Sequence, residues 1–264
     1  VARQVLTRSA YASLVTLAAA KARLGVTGAT EDAAIAALLE QVADLFAAEL
    51  GRPLLRQRYL EALPVSDRYR VQLSTWPVDA YQLAAEVYGE AVEPDAIDAA
   101  GGVLFRNAGW GGGAPEAQAA APELAVTYWG GWLPPDAVQS WGTGLTLAAG
   151  AWLRPSSPAL SPWLFEVTTA GSSGSGAEPT WPTTAGATVA VGTATATARD
   201  AVEVPAGVQA LALYAVAHFY AAGKREAGLA SLSADGFSAS WAPEVATAAG
   251  LPAEVRAQLD RWRW

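Results

Sequence analysis

VPAGVQALALYAVAHFYAAGKREAG, running from Val204 to Gly228, decides the fold. Pro205 occupies a first-turn position, where a missing N–H costs nothing, and Glu203 sits just ahead on the favourable side of the helix dipole. Lys224 and Arg225 lie near the carbonyl end, and Gly228 stands beyond as a stop. Between these signals Val208, Leu211, Ala212, Ala215 and Phe219 share one face, and Leu213, Val216 and Tyr220 form a second. A helix apolar on most of its circumference is expected in the middle of a core. A helix of about 20 residues spans about 30 Å, the width of a small domain. Its alanine content, with Gln209, His218 and Gly223 interrupting it, argues against a membrane span.

Outward from this helix the totals set limits. A chain of 264 residues, 52% hydrophobic, can bury a substantial core. Without cysteine it has neither disulfides nor thiolate metal sites, and a single histidine argues against a histidine-based zinc centre. VARQVLTRSAY at the start has no long apolar run, so no signal peptide is expected. The net charge of −8 opposes tight nucleic-acid binding, which needs many cationic contacts to displace counterions. It is compatible with a wall past which a duplex slides.

In chain order, Thr16 caps a short helix from Leu17 to Leu24 that Gly25 stops. Thr30 caps a second, with Glu31 and Asp32 in its first turn. There Ile35, Leu38, Leu39, Val42, Leu45 and Phe46 keep the spacing of a one-sided helix, and Gly51 and Pro53 end it. The period then changes to two. Leu55, Gln57, Tyr59 and Glu61 alternate with Leu54, Arg56, Arg58 and Leu60; Tyr69, Val71 and Leu73 alternate with Arg68, Arg70 and Gln72. Short strands follow around Gln82–Tyr88 and Gly102–Arg106, then a glycine loop at Gly111–Gly113 and a strand carrying Leu124, Val126 and Tyr128. Helices, a small antiparallel sheet and then a long helix make an α+β fold.

From about Ala137 to Asp200 the only charged residues are Arg154, Glu166, Glu178, Arg199 and Asp200. Short β segments (Leu145–Leu147, Ala151–Arg154, Leu164–Thr168, Ala187–Val191, Thr193–Ala198) alternate with turn clusters. Residues 137–200 therefore read as a small all-β module inserted between a first part, 1–136, and a second, 201–264. The second part holds the long helix, a strand at Phe237–Trp241 and a last helix opened by Pro252, with Val255, Leu259 and Trp262.

Several of these stretches together resemble a family. LVTLAAAKARLGV and EDAAIAALLEQVADLFAAELGRPL resemble the N-terminal signature of the head–tail connector (adaptor, or head-completion) proteins of tailed double-stranded-DNA bacteriophages. Trp76–Val78, GVLFR at Gly102–Arg106 and LAVTYWGGW at Leu124–Trp132 are similar to that family's sheet, and the Val204–Gly228 stretch to its long helix. The likeness covers roughly residues 13–135 and 202–262. SWGTGLTLAAGAWLRP and FEVTTAGSSGSGAEPTWPTTAGATVAVGT resemble a Trp/Gly β module found in phage structural proteins; family members usually lack this insert.

The resemblance implies a structural virion protein made in the host cytoplasm and placed at the head–tail junction. It would form a homo-oligomeric ring, commonly a dodecamer, below the portal protein. The ring would extend the DNA channel without gripping DNA, and dock a tail-side connector or tail terminator protein. No enzyme activity, cofactor, metal or membrane is implied. The alternative is a carbohydrate-binding adhesion module, with Trp141, Trp152, Trp163 and Trp181 as stacking surfaces; buried aromatic core is the competing reading. A hydrolase is disfavoured, because His218 sits in an apolar helix with no nucleophile motif. The glycine loops lack the Lys-Ser/Thr of a phosphate loop. Glu90, Glu93, Asp95 and Asp98 are read as hairpin-turn charges against a cation site.

Eight residues are candidates for partner interfaces. Arg56, Arg58, Arg68 and Arg70 are expected to share one face of two neighbouring strands and to pair with acidic residues of the next subunit, contact with DNA phosphates in the channel and a solvated sheet face being the competing readings. Arg261, Trp262, Arg263 and Trp264 close the chain with the residue types enriched at binding hot spots. They are expected to dock on a neighbouring subunit or the portal, folding back on their own domain being the competing outcome.

Overall fold

A computed structural model describes residues 2–64, 69–110, 123–224, 231–234, 237–240 and 250–263. The fold is α+β, and the chain divides into two compact units. One comprises Val1–Tyr11 and Leu54–Glu203 and gathers strands; the other comprises Ala12–Pro53 and Val204–Trp264 and gathers the helices. The segment 137–200 thus lies in the same compact unit as the sheet that precedes it.

In the strand unit, β1 (Ala2–Thr7), β2 (Gln57–Pro64), β8 (Glu123–Gly130), β4 (Ala84–Val87) and β5 (Glu90–Ala91) make an antiparallel sheet in the order β1-β2-β8-β4-β5. A three-stranded sheet, β3-β7-β6, is built from β3 (Arg70–Gln72), β6 (Ala96–Asp98) and β7 (Val103–Phe105). Period-two patterning places Tyr59 and Leu63 of β2, Ala85 and Val87 of β4, and Leu124, Val126 and Tyr128 of β8 on one face. They form one core with Val71, Leu73, Leu104 and the wholly buried Trp110. Glu61 is also buried there, and accepts hydrogen bonds from the Ser74 N–H and hydroxyl, each 3.1 Å, and from the Tyr128 hydroxyl, 2.7 Å. Burial, with Glu61 adding to it, pushes the Tyr128 hydroxyl well above its ordinary range. The Trp76–Pro77 peptide bond is cis.

The segment 137–200 contributes β9 (Val138–Ser140), β10 (Thr146–Leu147), β11 (Trp152–Arg154), β12 (Leu164–Thr169), β13 (Gly171–Ser172), β14 (Thr188–Val191) and β15 (Ala194–Arg199). Five of them form a sheet in the order β14-β15-β12-β11-β9. Leu147, Leu153, Phe165, Val167, Trp181, Val191 and Ala196 form its core, with the Phe165 and Trp181 rings 4.4 Å apart. Gly192, φ +61°, turns the β14–β15 hairpin; a Cβ there would meet the Ser172 carbonyl oxygen at 2.2 Å, so the turn rests directly on β13.

In the helical unit, the Thr16 hydroxyl accepts the Ala19 N–H at 3.0 Å and starts α1 (Leu17–Leu24), which Gly25 closes in the left-handed conformation. The second helix, α2 (Asp32–Leu50), begins one residue later than Thr30 suggests, with Glu31 at the cap; it buries Ile35, Leu39, Val42, Ala43, Phe46 and Leu50. The long helix, α3, runs Ala206–Gly223 from a cap at Pro205, and α4 (Ala253–Leu259) follows Pro252. A hairpin of β16 (Ser231–Ala234) and β17 (Phe237–Ser240) lies between them in sequence. The expectation that α3 is surrounded by core is corrected. Val208, Ala212, Ala215 and Val216 are buried, Leu211, Leu213, Phe219 and Tyr220 are half-buried, and Tyr214 is 45% exposed. α1, α2 and α4 pack against α3 and leave part of this all-round apolar helix open. Among the described residues no helix is long and apolar enough to cross a membrane.

Candidate partner interfaces

Arg56, Arg58 and Arg70, the described members of the arginine set, do not share a face. The consecutive strands β2 and β3 are not neighbours: β2 pairs with β1 and β8, whereas β3 pairs with β7 in the other sheet. Arg58 on β2 and Arg70 on β3 are exposed, and Arg68 lies outside the described residues. Arg56, expected at a surface, is buried. Its guanidinium donates to Asp79 Oδ2 at 2.8 Å and to Gln82 Oε1 at 3.3 Å. It lies 5.2 Å from the Trp129 ring centroid and 5.0 Å from that of Trp152. Desolvation lowers the Arg56 pKa and the adjacent Asp79 partly offsets this. A planar cation between two indole faces, fixed by a carboxylate, is a structural rivet. It joins β8 of the first sheet to β11 of the 137–200 sheet. Nearby, Glu166 pairs with Arg199 at 2.8 Å. Burial pushes the Asp200 carboxyl up, with the negative charge of Asp79 adding to the effect.

The terminal residues are partly engaged within their own unit. Arg263 donates to the Glu49 carbonyl oxygen at 3.0 and 2.6 Å and contacts the Glu49 carboxylate, so a cation caps the carbonyl end of α2. The Trp262 ring lies 3.5 Å from where a Cβ on Gly207 would sit. Trp264 lies outside the described residues. Between α3 and α4, Ala210, Leu211, Tyr214, Val255 and Gln258 line an open cleft of about 480 Å³. A smaller one of about 230 Å³ runs beside Leu211 to Arg261 and Trp262. At the far end of α3, Glu31 accepts from the Tyr220 hydroxyl at 2.6 Å and the Lys224 ammonium at 3.0 Å.

The other sequence candidates are placed as follows. Trp152 and Trp181 are buried, and Trp141 and Trp163 are half-buried against the 137–200 core, so the four rings form no exposed stacking surface. His218 is half-buried, edge-on to Phe219 at 5.6 Å. Asp95 accepts the Asn107 N–H and Asp98 the Gly101 N–H, as turn carboxylates do. Gly111–Gly113 lies outside the described residues. Among the described residues no three acidic or histidine side chains are grouped to hold a metal ion.

Strand β1 is the feature that sequence reasoning missed. All six of its residues are exposed, and among the described residues it pairs only with β2, through a bulge between Val5 and Thr7. Its visible signals are Val5 and Thr7, two β-branched residues in an otherwise unpatterned run.

Neither a protein-family model nor a curated protein matches the sequence. Among solved structures, a chain from the neck of an empty GTA particle, computed with C6 symmetry, is similar over 100% of this chain and 95% of that one. The identity is 13% and the TM-score 0.48. A likeness at that level carries no argument about function.

Proposed function

We propose that the chain is a non-enzymatic virion protein, a head–tail connector subunit. Copies form a ring below the portal, extend the DNA channel and present a docking surface to the tail. One observation carries the reading: the order of elements matches the order that the motif resemblance requires. Within the stretch the resemblance covers, which begins after β1, two helices with their stops at Gly25 and Gly51 come first. The antiparallel β2–β8 pair, which holds Leu124–Gly130 of the LAVTYWGGW stretch, follows, and after residues 137–200 comes a long helix opened by Pro205. The net charge of −8 suits a channel through which DNA passes without specific binding. Residues 137–200, with their own sheet and core, are read as an inserted module riveted to the host sheet at Arg56. The adhesion reading has little support, because the tryptophans that would stack on a sugar are packed inside.

Locating the chain in particles tests the proposal. An epitope-tagged copy, produced during phage growth, should appear as extra density at the portal vertex of tailed particles. Its absence from particles, or a position at a fibre tip, would overturn it.

A further inference from the structure

Strand β1 is ordered without burying any of its side chains: Val5 is 40% and Leu6 43% exposed. Its outer edge carries no partner strand among the described residues, so its N–H and C=O groups are open to a second chain. Charge is distributed unevenly across this sheet. At the β1 end stand Arg3, Arg8 and Arg58, all exposed. Arg3 is tied to Ser74 at 3.2 Å and lies over the Tyr59 ring, whereas Arg8 and Arg58 make no ion pair among the described residues. The opposite end is the β4–β5 hairpin, turned by Tyr88 (φ 54°) and Gly89 (φ 80°). It carries Glu86 and Glu90, with Glu93 just beyond; all three are exposed and without a cation among the described residues. Four strand spacings separate the two edges, about 19 Å.

We propose that β1 of one copy docks against the β4–β5 edge of the next, with Arg8 and Arg58 facing Glu86, Glu90 and Glu93. This rests on the ring reading above and names the surface that closes it. Charge placed only to keep copies apart would have one sign on both edges, so that they repel. Opposite signs on opposite edges attract. They do so head to tail, because the two surfaces differ, and a head-to-tail contact makes a ring when its rotation closes.

Paired charge reversals test this. One variant carries Arg8→Glu and Arg58→Glu, making both edges acidic; the other carries Glu86→Arg, Glu90→Arg and Glu93→Arg, making both basic. Self-association is read by sedimentation velocity at low and high salt, and on the portal if the free wild-type chain does not assemble. The expected result is a loss of association on the order of a hundredfold for each variant alone. An equimolar mixture should assemble again, in even-numbered rings, and this rescue also shows that both variants are folded. Rings that form equally well in either variant alone would overturn the edge pairing and leave the connector reading intact. Reversed variants that do not recover on mixing would also overturn it. A wild-type chain that forms no ring, alone or on the portal, would overturn both.

Discussion

Arg56 shows most clearly how the strand unit is held. An ion pair taken out of water is costly to form, and removing one member strands the other. Arg56→Ala leaves Asp79, itself fully buried, without its cation and two indole faces without their filling. The expected loss is about 3–5 kcal/mol in urea denaturation, with Asp79→Asn close behind. Arg56→Leu with Asp79→Leu should recover a large part of it, because no charge is then left behind. Asp200 gives a pH-dependent counterpart. Its folded-state pKa is raised, so ionisation disfavours the folded chain; stability falls as pH climbs from the unfolded carboxylate value, about 3.9, through the raised one. Asp200→Asn should therefore stabilise the protein at neutral pH, with the gain shrinking to nothing in acid. Glu178 has the opposite sign. Burial pulls its carboxyl up, but hydrogen bonds from Ser156 and the Trp181 indole outweigh that and hold it low. Its contribution is present above the unfolded value and lost as pH falls through the folded one. Sequence alone did not place Arg56. Alternation of Arg56 and Arg58 with apolar residues marks a strand but says nothing of a carboxylate 23 positions away that captures one of them.

At the scale of elements, local chemistry was the more legible part. Thr16, Gly25, Gly51 and Pro252 each delimit a helix where their backbone preferences require, and five strands of 137–200 fall within a residue or two of their alternating runs. Non-local pairing was not legible. β1 lacks a clear polar–apolar alternation and exists because β2 offers it a ladder more than fifty residues along the chain. Glycines separate local from non-local demands in a testable way. Gly144 and Gly192 both have positive φ, but a Cβ at Gly144 meets open space and one at Gly192 meets the backbone of β13. Gly144→Ala should cost about 1–2 kcal/mol, the strain of the left-handed conformation alone. Gly192→Ala should cost clearly more, because backbone must move, and thermal unfolding of the two variants side by side measures the difference. Likewise Thr16→Ala should lose about 1 kcal/mol, the value of its bond to the Ala19 N–H.

At the scale of the whole molecule, charge and assembly make the claims. A chain of net charge −8 that lines a DNA path should not retard a duplex in a gel at physiological salt; saturable binding there would contradict a passive wall. The α+β class was legible from the change of period along the chain. The grouping of helices 12–53 with 204–264 was not, since it depends on packing between segments about 150 residues apart. The central claim is that many copies act as one ring on a portal. Native mass spectrometry of the purified chain, alone and then mixed with its portal, tests this most directly. The account predicts a closed oligomer of defined copy number, formed by the chain alone or on addition of the portal. A chain that stays monomeric and ignores the portal would contradict it.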